Sequence, residues 1–80
     1  MILEMKLKKA ALIAALDLSL ARMKKSPERC ARNLMELGLT TYPGKLSKKQ
    51  QNEMLQLLLE LCKKGDIARV RDVFLSCFIY

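Results

Sequence analysis

Cys30, Cys62 and Cys77 are the side chains of this sequence best suited to nucleophilic chemistry, and no histidine is present to activate any of them. Without an imidazole there is no general base for a thiol at neutral pH and no imidazole ligand for zinc. The cysteines are odd in number, widely spaced and free of any C-x-x-C pair, which argues against a disulfide framework and places the chain in a reducing compartment. Cys62 and Cys77 fall on apolar helix faces, where a thiol acts as a small hydrophobe. Cys30 follows Arg29 near an expected helix start, a setting that lowers a thiol pKa. It is also in register with Leu34 and Leu37, and reads as core. The three glycines occupy turn or cap positions, so no phosphate-cradling loop exists. The expectation is a non-enzymatic protein with no catalytic residue, no cofactor, no metal and no small-molecule substrate.

The other chemistry on offer is electrostatic. Lys and Arg number 15 against 8 Asp and Glu, for a formal charge of +7. That excess supplies the sequence-independent part of an affinity for nucleic acid. Leu20 to Leu37 resembles a helix-turn-helix loosely, with Lys24-Lys25-Ser26-Pro27 as the turn and Ala21 where that motif wants a small residue. In this reading Arg29, Arg32 and Asn33 face base edges while Lys24 and Lys25 meet phosphates. The turn lacks the glycine usual in the motif. A second candidate, Leu57 to Phe78 around Gly65-Asp66, has its glycine but puts Glu60, Lys64 and Arg71 where buried apolar residues are needed. Trp is absent and aromatics are 5% of the chain, which excludes a module built on base stacking.

These residues must be held by helices. Residues 1–25 are rich in Ala, Leu, Lys and Met with no Gly or Pro, predicting one long helix with Arg22, Lys24 and Lys25 in its last turn. Ser26-Pro27-Glu28 reads as an N-cap, a proline at the first helical position and an acid in the first turn. That second helix is short and should stop at Gly38. Residues 39–46 form the one loop, with Tyr42-Pro43-Gly44-Lys45 carrying type II turn chemistry. Ser47-Lys48-Lys49-Gln50 is a capping-box pattern opening a third helix, which Gly65 ends near Lys64. Asp66 caps a fourth, along which Ile67, Val70, Phe74, Cys77 and Phe78 recur at helical rather than strand spacing.

With 80 residues the chain is one domain, 1–80, and the expected fold is all-α: a compact four-helix domain with a long first helix, a short second and the last two as an antiparallel hairpin. A membrane span is not expected, because no run approaches the roughly 20 apolar residues required. The apolar run from Ala10 to Leu16 is too short for a signal peptide and Asp17 interrupts the pattern. Lys6, Lys8 and Lys9 border an apolar face as in interfacial helices, but the Trp or Phe anchor of such helices is missing. The expected location is the cytoplasm.

Two helices carry more apolar surface than one bundle face needs. On a wheel of about 100° per residue, Met5, Leu12, Ile13, Leu16, Leu20 and Met23 form one side of the first helix. Leu3, Leu7, Ala14, Leu18 and Ala21 form a second stripe. The third helix spreads Met54, Leu55, Leu57, Leu58, Leu59, Leu61 and Cys62 over more than half its circumference. Either the third helix is central or some of this surface meets another chain. A core this small is marginal alone, and self-association would offset the shortage. The leading functional expectation is therefore a small interaction or regulatory protein that works as a homo-oligomer or by docking a partner helix. The stripe Leu3, Leu7, Ala14, Leu18 and Ala21 is the expected interface, unless the second helix or the C-terminal segment covers it within one chain. The alternative expectation is a DNA-binding regulator using Lys24, Lys25, Arg29, Arg32 and Asn33.

Overall fold

Local signals account for most of the helix boundaries. The computed structural model describes the backbone of residues 2–79 and the side chains of residues 7–79. Within it run α1 (Ile2–Ala21), α2 (Pro27–Thr41), α3 (Lys48–Lys64) and α4 (Ile67–Phe78), with no strand among the described residues. α1 stops at Ala21, one turn earlier than its composition predicts. The N–H groups of Arg22 and Met23 donate to the carbonyls of Ser19 and Leu20, both at 3.1 Å, a tightening from four-residue to three-residue spacing. Pro27 drives this, since the residue before a proline is pushed out of the helical region and a helix must end ahead of it. Arg22, Lys24 and Lys25 thus lie in the connecting turn, not in the last turn of α1.

Ser26 is the N-cap of α2 by position, and its carbonyl accepts the first helical bond from the Cys30 N–H at 3.0 Å. Its side chain makes no capping bond. The later signals act as their residue types dictate. Gly44 takes φ +81° in the type II turn, closed by the Lys45 N–H donating to Tyr42 O at 3.3 Å. The Ser47 hydroxyl accepts from the Gln50 N–H while the Gln50 side chain accepts from the Ser47 N–H, a complete capping box. Gly65, at φ +77°, ends α3, with its own N–H on Cys62 O and the Asp66 N–H on Leu61 O. Those paired bonds are a Schellman motif. Asp66 then caps α4 by accepting from the Arg69 N–H at 3.2 Å, so α3 and α4 are joined as an antiparallel hairpin.

Gly38 does not stop α2, which continues to Thr41 and shortens the predicted loop. Its role is packing. A Cβ at this position would lie 2.2–2.6 Å from three ring atoms of Phe78, so only a bare backbone admits the ring. Phe78 is 1% exposed and stands 5.1 Å, centroid to centroid, from the ring of Phe74 at a 49° tilt. α2 is consequently the central element, packed against α1, α3 and α4, while the backbones of α1 and α3 do not approach closely among the described residues. The third helix is not the centre. The core comprises Leu12, Leu16, Leu20 and Met23 from α1 and its turn, Cys30, Ala31, Leu34 and Met35 from α2, Met54, Leu58, Leu61 and Cys62 from α3, and Val70, Phe74, Leu75 and Phe78 from α4. No polar or charged side chain among the described residues is buried.

In an exposed helix Gly→Ala stabilises by about 1 kcal/mol. Gly38→Ala should do the reverse, costing about 1–3 kcal/mol through overpacking and lowering Tm by at least about 4 °C. Phe78→Leu in the Gly38→Ala background should restore part of the loss. A Tm raised by Gly38→Ala alone, read by circular dichroism, would contradict the packing role.

Candidate interaction surface

α1 is apolar on two opposite sides, and the rest of the fold covers one. Leu12, Leu16 and Leu20 point into the core. Across the helix, Leu7 is 61% exposed and Leu18 is 69% exposed, with Ala10, Ala11, Ala14 and Ala21 exposed between and beyond them. Neither α2 nor the C-terminal segment lies over this face, so the intramolecular cover weighed from sequence is absent for Leu7, Ala14, Leu18 and Ala21. Leu3 lies in α1 but its side chain is outside the described residues. Charge is kept off the centre of the stripe. Asp17 leans toward α4, where its carboxylate accepts from Arg71 Nε at 3.3 Å, an exposed pair worth little. Lys8 sits over the Tyr42 ring at 5.2 Å from its centroid.

The basic residues separate into two groups. Lys25, Arg29 and Asn33 line a groove of about 540 Å³ between the end of α1 and the start of α2, together with Leu18, Ser19 and Arg22. No carboxylate lines it, and none of its three cations has an ion-pair partner among the described residues. Arg22 was not among the candidate nucleic-acid contacts expected from sequence. Its spacing of four from Leu18 and three from Ser19 was the available signal, read instead as helix-end charge. Lys24 is exposed but does not line the groove. Arg32 turns to Glu28 at 3.2 Å, the ordinary four-residue surface pair. The outward side of α2 exposes Glu28 and Glu36 beside Arg29, Arg32 and Asn33, so as a reading helix it would carry two carboxylates toward a phosphate backbone.

A further surface lies on α3, where the sequence already showed surplus apolar residues at Met54 and Leu57 but not their alignment with Val73 and Cys77 of α4. Leu46, Met54, Leu57, Val73 and Cys77 line a shallow trough of about 260 Å³ between α3 and α4, with Leu57 43% exposed at its rim. Cys77 is therefore half-buried, a correction to its expected place in the core. Cys30 and Cys62 are buried, and the Cys30 thiol donates to Ser19 O at 3.3 Å. Burial pushes the Cys30 thiol up, against a smaller opposing pull from its hydrogen bond with Cys62. The Cys62 thiol is pushed up to about 12, by burial first and then by the charge and hydrogen bonding of neighbouring Cys30. The helix-start setting of Cys30 thus does not activate it, because burial raises its thiol. Among the described residues no group of three His, Cys, Asp or Glu could hold a metal ion, and no helix is long and apolar enough to cross a membrane. No protein-family model, curated protein or solved structure matches this chain.

Thiol chemistry reports this arrangement directly. Burial also raises the Cys77 thiol, so all three hold less thiolate at a given pH than a free cysteine, and labelling should accelerate as pH rises above neutrality. At pH near 8 (about the free-thiol range) a maleimide should modify Cys77 first, and Cys30 and Cys62 only on unfolding. Mass mapping that found Cys62 modified as fast as Cys77 in the native protein would contradict the burial.

Proposed function

We propose that this protein is a small non-catalytic interaction module that acts through the outer face of α1, by self-association or by docking a partner helix. The single observation that carries the reading is the exposure of Leu7 and Leu18 on one continuous apolar stripe of a helix whose opposite side is already in the core. Exposed apolar residues scattered singly need no explanation, but a rimmed stripe along a helix is the kind of surface that another helix covers. Fully burying a leucine contributes about 1.5–3 kcal/mol, and Leu7 and Leu18 each have more than half of that still to gain.

Leu18→Glu tests the reading. The variant should keep its helical circular dichroism and its Tm, because residue 18 contributes nothing to the core, yet lose association by at least about tenfold. Wild-type association, followed by light scattering on a size-exclusion column, should persist as salt is raised because it rests on apolar burial. A variant that loses its fold, or that associates as the wild type does, overturns the reading.

The carboxylate-free lining of the groove favours a second reading, in which Arg22, Lys25 and Arg29 bind a nucleic-acid backbone. Fluorescence anisotropy with a labelled duplex should then show affinity falling steeply between about 50 and 200 mM salt. Arg29→Ala should weaken all sequences alike and lower the salt slope by about one. No salt-sensitive binding by the wild type would end this reading.

A further inference from the structure

Building on the interaction reading, we propose that the occupant of the α1 face is a second copy of this chain, docked antiparallel in one register. In that register Leu7 meets Leu18 of the second copy and Ala11 meets Ala14. The exposed residues Leu7, Ala11, Ala14, Leu18 and Ala21 are spaced four, three, four and three apart. That spacing is compatible with the heptad seam of paired helices. Within it the run Leu7, Ala11, Ala14, Leu18 reads the same from either end. A two-fold axis requires that if residue i meets j, then j meets i, and this run satisfies the condition about its own midpoint. A foreign helix would impose no such symmetry on the face. The inner alanine layers carry no side chain beyond Cβ, so the axes can approach to roughly 8 Å, the short end of helix packing. The outer leucine layers then close over both ends of the contact.

Charge at the C-terminal end of α1 weighs against a parallel pair. Arg22, Lys24, Lys25 and Arg29 crowd the C-terminal end of α1 and the start of α2, all exposed. A parallel pair would bring two such clusters side by side. In the antiparallel register Arg22 and its counterpart stand roughly 28 Å apart along the helix axis, at 1.5 Å per residue. That is more than three Debye lengths of about 8 Å at physiological salt, so the repulsion is screened. The helix dipoles also oppose in this arrangement, each positive end lying beside a negative one. Both bundles project away from the seam because the cores lie on the other side of α1.

Two substitutions read the register through crosslinking. Leu7→Cys and Leu18→Cys chains, mixed and mildly oxidised, should form a disulfide-linked dimer, while each alone should not. In the proposed register residue 18 and its counterpart are separated by roughly 16 Å along the axis, beyond the reach of a disulfide. Wild type oxidised in parallel reports any bridge made by the native thiols. Ala14→Leu separates close packing from general stickiness: the added side chain should raise the dimer Kd by about tenfold or more without lowering Tm. Tighter association of Ala14→Leu, or efficient self-crosslinking of Leu18→Cys alone, overturns the register while the face itself stands. A wild type that stays monomeric at about 0.5 mM overturns the second copy as occupant and leaves the face to a different helix. A dimer that Leu18→Glu does not weaken overturns both this proposal and the reading beneath it.

Discussion

The contact between the Phe78 ring and the bare backbone of Gly38 organises this fold. It brings the end of α4 onto the last turn of α2, closer than any side chain at position 38 would allow. Phe74, one turn earlier, stacks beside Phe78 and fills the space between α2 and the α3–α4 hairpin. The glycine costs helix propensity of about 1 kcal/mol, and the burial of a whole aromatic ring more than offsets it. Because α4 reaches α2 here, α2 becomes the helix that every other helix touches.

A central α2 has consequences for α1. With 15 residues in α2 and three neighbours to receive, one side of α1 is enough to complete the core. Leu12, Leu16, Leu20 and Met23 meet that need. The Leu7–Leu18 stripe is then left over, not from a shortage of apolar residues but from an excess relative to what two layers can enclose. The thinnest dimension of the molecule, 17 Å, fits two layers of helices with axes 8–10 Å apart and leaves none to lie over α1.

The polar features follow the same division. Both described ion pairs are exposed, and the core holds no polar or charged side chain, so specificity within the fold comes from shape and capping. The thiols of Cys30 and Cys62 serve as packing atoms whose ionisation the apolar surroundings oppose. Three cations without an ion-pair partner among the described residues, Arg22, Lys25 and Arg29, line the groove beside the α1–α2 turn. That groove shares Leu18 with the apolar stripe, so groove and stripe are continuous.

The number and type of helices were legible in the residues themselves, because most stops and starts are local events. Gly44, Ser47, Gln50, Gly65 and Asp66 act through bonds to chain neighbours and need no tertiary partner. The two apolar stripes of α1 were equally legible, since helical periodicity depends on spacing alone. Which stripe is covered was not: that depends on which helix becomes central, and the answer lies in a contact 40 residues apart in the chain, Gly38 with Phe78. For the same reason Gly38 read as a stop signal, its one visible property being the lack of a side chain. The half-exposure of Cys77 and the gathering of Arg22 with Lys25 and Arg29 escaped for a related cause. Both are set by the angle between neighbouring helices, and only the packing of their cores determines it.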